Sequence, residues 1–283
     1  MSVHAPSRAT ASTPVRDEDR HSLDVVFRGV GRTFPTADGP RVVLRDVDLT
    51  VAPGEVLAVI GASGCGKSTL LRAVAGLDPD FDGELLIDGS PVRPYDERTA
   101  VGFQEPRLLP WRTLRRNVEL GLPRGLDRAA GRARVQELLE LVGLAPFAEH
   151  RPREVSGGMA QRASLARALA RRPGVLLLDE PFGALDALTR LKMQDLLLDI
   201  HAQTGTTVLL VTHDVDEALQ LADRILLLGA DPAISDRASA PEGATVSRLL
   251  TVPGRRPRDR ASAELAALRG DLLSGLGVDS HDH

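Results

Sequence analysis

Short apolar segments separated by turn residues dominate the chain before residue 90. Residues 23–34 predict a first strand, and residues 42–51, in which apolar and polar positions alternate, predict a half-buried strand after a turn at 35–40. Residues 56–60 are apolar throughout, which is typical of a buried strand. Residues 83–89 predict a further short strand that ends in an Asp-Gly turn. The pattern indicates antiparallel strands beside one fully buried strand.

From about residue 105 to residue 173 the apolar residues fall at helical spacing. One helix is predicted by apolar residues that stop before Gly143: Val135, Leu138, Leu139 and Val142. A second helix is predicted to follow residues 156–158 and to end at Pro173, because proline cannot continue a helix. We therefore expect a helical subdomain over about 105–173.

Strands and helices alternate in most of the remaining sequence. The predicted strands are 175–180, 207–213 and 224–228, and the predicted helices are 69–75, 188–202 and 214–222. Such alternation favours an α/β fold with a mostly parallel sheet, in which we expect the strand over 224–228 to be the last.

The two ends of the chain lack this regularity. Residues 1–22 are rich in Ser, Thr, Ala, Pro and charge and predict a disordered tail. Residues 246–283 are expected to form a short C-terminal extension, with a solvated basic turn at 255–258 and a short helix over 261–273. The domain expected between these ends spans residues 23–245.

A phosphate-binding loop lies between the buried strand 56–60 and the helix 69–75. Residues 61–68 fit the pattern G-x-x-x-x-G-K-[ST], in the strand–loop–helix context that the pattern requires. Glycines let backbone N–H groups approach phosphates, and the helix N-terminus adds partial positive charge. Lys67 supplies a cation for the β- and γ-phosphates, and Ser68 supplies a hydroxyl for Mg²⁺. The loop alone indicates only a nucleotide, and the residues expected to surround its phosphates are Gly61, Ala62, Ser63, Gly64, Cys65, Gly66, Lys67, Ser68 and Thr69.

Two acidic residues end the apolar strand over 175–180. Parallel sheets bind ligands at the carboxyl ends of their strands, so Asp179 is a candidate ligand of Mg²⁺. Glu180 is a candidate acceptor for the proton of an attacking water. A polar loop would also place two acids in succession. His213, at the end of another strand, could contact a γ-phosphate or have a structural role.

Composition narrows the class of partner. Lys and Arg number 35 and Asp and Glu 39, for a net charge of −4, so no basic footprint for nucleic acid is expected. The single cysteine, Cys65, excludes an internal disulfide and fits a reducing cytosol. No apolar run approaches the roughly 18 residues of a membrane span, and the first 22 residues lack the apolar core of a secretory signal.

In combination these features resemble the ATP-binding subunits of ATP-binding-cassette (ABC) transporters. The resemblance covers residues 24–245 and rests on ordered motifs: residues 61–68 (Walker A), Gln104 (Q-loop), residues 156–160 (signature), residues 175–180 (Walker B), residues 183–186 (D-loop) and His213 (switch histidine). It implies a P-loop NTPase (RecA-like) core, an antiparallel β subdomain and a helical subdomain that carries the signature. The signature departs from the common Leu-Ser-Gly-Gly-Gln at Val155 and Met159, but its Ser-Gly-Gly centre is intact, so function is expected to survive.

The resemblance also implies a division of labour among residues. Gln104 would reach Mg²⁺ and the attacking water, and His213 would steady the γ-phosphate. Phe34 lies where the family places an aromatic that stacks on adenine, although a core position is the alternative. In trans, Ser156, Gly157 and Gly158 would contact ATP held by a second copy. As an isolated feature, Ser-Gly-Gly is also a common helix-capping turn. Asp186 would line the dimer seam.

The implied assembly contains more than this chain. Two copies would pack head to tail around two ATP molecules, on the cytoplasmic face of the cell membrane, as a peripheral protein. They would drive integral membrane permease subunits, and an extracytoplasmic substrate-binding protein would take part indirectly. Leu108, Leu109 and Trp111 follow Gln104 and are expected to help line the groove for the permease, with core packing as the alternative for Trp111.

The cargo can be inferred only from family likeness. Residues 103–118 resemble the nitrate, sulfonate and taurine importer group. Residues 183–190, 208–218 and 257–269 most resemble the aliphatic sulfonate importers within that group. Taurine, nitrate and a thiamine-precursor pyrimidine remain alternatives.

Two further classes of protein are weighed against a transporter subunit. ABC ATPases that act on DNA ends or on the ribosome usually carry a long coiled-coil insertion or two cassettes in one chain, and neither feature is present here. A lone phosphate-loop kinase is disfavoured by the signature and the switch histidine.

Overall fold

The structure, a computed structural model, describes residues 22–230 and 242–276. The predicted disordered tail over residues 1–22 lies, apart from residue 22, outside the described residues, as does the C-terminal extension beyond residue 276. The helices and strands follow one another in this order: β1 (Val25–Thr36), β2 (Gly39–Val51), β3 (Val56–Ile60), α1 (Lys67–Val74), β4 (Asp82–Ile87), β5 (Ser90–Pro91), β6 (Thr99–Gly102), α2 (Leu114–Glu119), α3 (Arg128–Leu141), α4 (Gly157–Ala170), β7 (Val175–Asp179), α5 (Ala187–Thr204), β8 (Thr207–Val211), α6 (Val215–Leu221), β9 (Arg224–Gly229), β10 (Thr245–Thr251) and α7 (Ala263–Gly275).

The strands form two sheets. The antiparallel sheet has the order β2-β1-β4-β5, as the alternating patterns predict. The second sheet has the order β10-β9-β3-β8-β7-β6, and all its neighbours are parallel except β10 and β9. Its parallel strands place the carboxyl ends of β3, β6, β7 and β8 at one edge, where ligands bind in folds of this kind.

The expectation that strand 224–228 is the last of the sheet is wrong. β10 pairs antiparallel with β9, from Thr245 opposite Gly229 to Thr251 opposite Arg224. As an edge strand β10 is mostly exposed or half-buried, so it lacks the continuous apolar run by which the inner strands are recognised.

The core lies on both faces of the parallel sheet, and successive residues of a strand pack into opposite layers. Val56, Ala58 and Ile60 of β3 pack with the helices α2 to α6, whereas Leu57 and Val59 pack with α1 and the antiparallel sheet. All five residues are buried, which explains why the strand reads as an unbroken apolar run.

Several of the helices begin at capping side chains. Asp127, Ser156, Asp186 and Asp214 each accept hydrogen bonds from backbone N–H groups in the first turn of α3, α4, α5 and α6 respectively. The predicted helix with Val135 and Leu138 is confirmed as α3, and α4 ends before Pro173 as expected. Together with α2 they form the helical part of the molecule, in which residues 156–158 lie at the N-terminal end of α4.

The predicted solvated basic turn at 255–258 is also wrong in part. Arg258 is only 9 % exposed and donates to the carbonyls of Leu219 and Gln220 at the end of α6. Arg256 donates to the carbonyl of Leu221. Because the last carbonyls of a helix lack partners within it, they accept these guanidinium groups and draw the arginines inward.

Candidate active site

The phosphate-binding loop connects β3 to α1 at the ligand-binding edge of the parallel sheet. Gly66 precedes the helix with φ 106°, in the left-handed region, and a Cβ there would lie 2.7 Å from Leu44 Cδ2 of β2. The Lys67 ammonium group, only 8 % exposed, donates to the carbonyls of Gly61 at 2.9 Å and Ala62 at 3.0 Å. The Lys67 ammonium group is therefore bonded to carbonyls of its own loop, and a bound phosphate would compete with those carbonyls for it.

Ser68 and Asp179 bring two oxygens together beside the loop. The Ser68 hydroxyl donates to Asp179 Oδ1 at 3.1 Å across the gap between α1 and β7. Burial raises the pKa of Asp179, and the hydrogen bond from Ser68 opposes that rise. A hydroxyl and a carboxylate are hard oxygen donors, which fit Mg²⁺ because this ion completes its shell with water and phosphate. No cluster of three or more His, Cys, Asp or Glu side chains that could hold a metal occurs in the described residues.

Glu180 and His213 meet at the ends of adjacent parallel strands. β7 and β8 pair with Asp179 opposite Val211, so the residues that follow each strand emerge side by side. His213 Nδ1 lies 3.2 Å from Glu180 Oε2. Glu180 has φ 45°, and its backbone N–H donates to the Val211 carbonyl at 2.9 Å. A left-handed backbone at a non-glycine residue aims this carboxylate away from the strand direction.

Gln104 reaches the same place from the neighbouring strand β6. A Cβ at Gly183 would lie 3.0 Å from Gln104 Nε2 and 3.7 Å from Glu180 Oε2. The amide and the carboxylate therefore lie beside the same glycine, and a side chain at position 183 would press on the amide and contact the carboxylate. Four loops, after β3, β6, β7 and β8, thus bring Lys67, Ser68, Asp179, Glu180, His213 and Gln104 to one edge of the sheet.

Ser156, Gly157 and Gly158 occupy a different part of the molecule. Ser156 caps α4 by accepting from the Met159 N–H at 3.2 Å, and a Cβ at Gly158 would lie 2.5 Å from Thr189 Cγ2 of α5. Among the described residues no hydrogen bond joins these three residues to the phosphate-binding loop. Asp186 caps α5, and hydrogen bonds from Thr189 lower the pKa of its carboxyl group.

Phe34 lies near the end of β1, in register with Arg41 of β2. The guanidinium carbon of Arg32 stands 4.2 Å from the Phe34 ring centroid, and Arg32 is held by an ion pair to Asp78 at 2.9 Å. One face of the ring is thereby covered by Arg32. The same hairpin contacts Gly66 through Leu44, so Phe34 and the phosphate-binding loop belong to one connected region.

Comparisons with known proteins agree with this geometry. The family profile described as ABC transporter matches residues 44–183. The aliphatic sulfonates import ATP-binding protein SsuB 1 of Xanthomonas axonopodis pv. citri is 50 % identical over 242 residues, covering 84 % of this chain and 92 % of the relative. The chain belongs to the ABC transporter family.

Other relatives of this ABC ATP-binding subunit are similar over most of their length. SsuB 1 of Streptomyces avermitilis is 47 % identical over 280 residues, covering 98 % of this chain and 96 % of the relative. The nitrate import ATP-binding protein NrtD of Synechococcus elongatus is 46 % identical over 257 residues, covering 88 % and 90 %. The dimeric structure of a post-hydrolysis state of the ATP-binding cassette MJ0796 bound to ADP and Pi has a TM-score of 0.66 and 32 % identity, covering 82 % of this chain and 100 % of that one. The predicted P-loop NTPase fold and the assignment as a transporter ATPase are thereby confirmed.

The Q-loop segment of this ABC subunit is held by residues that the sequence did not single out. Gln161 of α4 donates to the Phe103 carbonyl at 3.0 Å. The fully buried Asn117 accepts from the Leu109 N–H at 2.7 Å, and its amide donates to the Leu109 carbonyl at 3.2 Å. A buried amide that bonds to the backbone of another segment indicates that it holds that segment in place. The sequence does not reveal this role, because an apolar pattern does not show which polar residues are buried.

Trp111 lies on the surface of the same segment. It is 67 % exposed, so core packing does not account for it, whereas Leu108 is half-buried against the core.

Two further expectations concern Cys65 and the membrane. Burial raises the pKa of the Cys65 thiol within Walker A. Among the described residues no helix is long and apolar enough to cross a membrane.

Proposed function

We propose that this chain hydrolyses ATP to power an importer of aliphatic sulfonates. The observation that carries the ATPase part is the convergence of Lys67, Ser68, Asp179, Glu180 and Gln104 at one edge of the parallel sheet. The cargo rests on similarity to proteins named as aliphatic sulfonates import subunits, including one that is 47 % identical over 98 % of this chain.

Walker A binds the triphosphate. Lys67 exchanges its bonds to the Gly61 and Ala62 carbonyls for bonds to the β- and γ-phosphates, and loop N–H groups donate to the same oxygens. Gly61 to Thr69 surround the phosphates, and the free face of Phe34 takes the adenine ring. Ser68 and Asp179, with Gln104, would hold Mg²⁺, which supplies neutralisation of phosphate charge when bound.

Glu180 then acts on the attacking water. The carboxylate accepts a proton from that water as its oxygen bonds to the γ-phosphorus, and the bond from the γ-phosphorus to the β,γ-bridging oxygen breaks. Gln104, which like Glu180 lies beside Gly183, orients the water. His213, which contacts Glu180, steadies the γ-phosphate. The products are ADP and inorganic phosphate.

One chain cannot complete this site, because its signature residues lie away from its own phosphate-binding loop. Ser156, Gly157 and Gly158 contact the ATP held by a second copy, where the free N-terminal N–H groups of α4 face the γ-phosphate. Asp186 lies at the seam between the copies. A dimeric cassette structure that is 32 % identical to this chain supports the pairing of two copies.

Further partners follow from this role. Integral membrane permease subunits dock near the exposed Trp111, beside the Q-loop, at the cytoplasmic face of the membrane. An extracytoplasmic substrate-binding protein delivers the cargo and does not contact this chain. The net charge of −4 provides no basic footprint for nucleic acid, so none is included among the partners.

The decisive experiment is growth of a strain that lacks this gene. With an alkanesulfonate as the only sulfur source, growth is expected to fail, and with sulfate it is expected to be normal. The wild-type gene restores growth on sulfonate, whereas a gene with Lys67→Ala does not, because the phosphates lose their cation. Normal growth of the deletion strain on sulfonate, with no second importer in the genome, would overturn the cargo.

Nitrate is the second candidate, because a nitrate import protein is 46 % identical over 88 % of this chain. The same deletion strain is therefore grown with nitrate as the only nitrogen source. Failure on nitrate alone would replace sulfonate by nitrate and leave the ATPase assignment standing. Taurine and a thiamine-precursor pyrimidine are tested in the same way.

A further inference from the structure

Arg190, in the first turn of α5, joins two loops of the candidate active site. Its Nη2 donates to the Leu185 carbonyl at 3.3 Å, inside the D-loop. Its Nη1 donates to Asp214 Oδ2 at 3.2 Å, in the residue that directly follows His213. Its backbone N–H donates to the Asp186 carbonyl at 2.9 Å. A planar guanidinium presents donors in a fixed fork, so a movement of one loop is passed to the other.

Asp214 in turn fixes the loop that carries His213. Its Oδ1 accepts from the Glu217 N–H at 3.1 Å and so caps α6, while Oδ2 takes Arg190. The Asp214 N–H donates to the Thr212 hydroxyl at 3.0 Å. His213 stands between these two anchored residues, and its ring contacts Glu180. A shift of Arg190 would therefore change where the His213 ring lies.

Several acidic groups crowd around Arg190. Glu217 is 3 % exposed, and among the described residues its Oε1 has no hydrogen-bond partner. Asp214 and Glu180 both act on Glu217 as like charges, and Arg190 is the cation that opposes them. Removing Arg190 would leave the Asp214 carboxylate without its cationic partner beside buried Glu217, which would release the loop that carries His213.

We propose that Arg190 is a positioning residue that couples the D-loop at the dimer seam to the switch histidine. Docking of a second copy moves residues 183–186, Arg190 transmits the movement to Asp214, and His213 is set against the γ-phosphate. The proposal rests on the proposed roles of Asp186 and His213. A purely structural ion pair would act through stability, but partly exposed pairs such as Arg190–Asp214 contribute little to stability. A positioning role therefore predicts a loss of rate without a comparable loss of stability.

The test compares two single variants with their double variant. Arg190→Met keeps an unbranched apolar stem of similar course and removes the donors, and Asp214→Asn keeps the helix cap and removes the charge. Each is expected to lower the kcat for ATP about tenfold, with the affinity for ATP and the melting temperature nearly unchanged. The double variant is expected to be no slower than either single one, because both remove the same link.

A matched control lies on α7 and pairs with α6, the helix that Asp214 caps. Arg269 forms an ion pair with Asp216 of α6 at 3.1 Å but has no bond to the D-loop. Arg269→Met is therefore expected to leave kcat unchanged. Arg190→Lys is expected to recover only part of the rate, because one ammonium group does not reproduce the fork.

Each contrary outcome has a distinct meaning. A wild-type protein without ATPase activity would overturn the proposed function itself. An active wild type with a normal kcat in Arg190→Met would overturn only the coupling role. Multiplicative losses in the double variant, an equal loss in Arg269→Met, or a loss of ATP affinity together with a lower melting temperature would do the same.

Discussion

Glu217 is a buried acid in a setting that disfavours its charge. Burial is the largest cause, followed by the charge of Asp214, and together they raise its pKa from 4.5 to about 8, against the lowering effect of Arg190 and of a hydrogen bond from Thr212. Below pH 4.5 the group is protonated in both the folded and unfolded chain. Between pH 4.5 and about 8 only the unfolded chain is ionised, so stability falls as the pH rises through this window.

Glu217→Gln removes this dependence while keeping the shape of the side chain. We expect the variant to melt at a higher temperature than the wild type at pH 8, by roughly 2–4 °C for each kcal/mol gained. At pH 5 the difference should be small, because the wild-type carboxyl costs little there. Thermal unfolding at both pH values checks this. An equal shift at pH 5 and pH 8 would show that ionisation of Glu217 is not the cause.

At the scale of elements, the packing of α2 on α4 depends on Gly121. A Cβ at this position would overlap the Arg167 carbonyl oxygen and lie 3.0 Å from Ala170 Cβ. We expect Gly121→Ala to separate the two helices and to destabilise the protein by about 1–3 kcal/mol, as overpacking does. Chemical denaturation monitored by circular dichroism measures the loss.

A second glycine provides the control. Gly270 lies inside α7, and no heavy atom of the described residues lies within 4 Å of a Cβ built there, outside the glycine's own surroundings in the helix. Gly270→Ala should therefore stabilise the protein by up to about 1 kcal/mol, since alanine favours helix. If both substitutions destabilised equally, a general intolerance to alanine, and not the α2–α4 contact, would explain Gly121.

The elements also show which parts of the fold a sequence can predict. The strands β3, β7 and β8 are recognisable because burial on both faces requires an unbroken apolar run. β10 is not recognisable, because an edge strand needs no such run. The inward position of Arg258 depends on carbonyls of α6 that lie 38 and 39 residues earlier in the chain. A local sequence pattern cannot predict hydrogen-bond partners that are so far away in sequence.

The candidate site likewise contains residues that the sequence can identify and residues that only the fold reveals. Lys67, Ser68 and Asp179 stand in a loop pattern and at a strand end, so their chemistry is visible in their order. Arg190 and Asn117 have no such pattern. An arginine in the first turn of a helix resembles any solvated residue until the fold brings Asp214 and the Leu185 carbonyl to it.

At the scale of the whole molecule, the proposed site is completed only by a second copy. Glu180→Gln is expected to leave ATP binding intact, because the phosphates are held by Walker A and not by this carboxylate. Water would lose its proton acceptor, and hydrolysis would slow by about 10²–10⁴-fold. The two copies should then remain together around unhydrolysed ATP. Light scattering with Mg²⁺ and ATP should show a doubling of the 30.3 kDa protomer mass.

The contacts of the trapped dimer can be checked with one further substitution in the same background. Aspartate caps helices as well as serine does, so Ser156→Asp should keep α4 folded. Its negative charge would face the γ-phosphate held by the partner, and the added repulsion should prevent the dimer without weakening ATP binding to the monomer. A Glu180→Gln variant that hydrolyses ATP at the normal rate would remove Glu180 from its role. A dimer that persists with Ser156→Asp would place the signature residues away from the shared nucleotide.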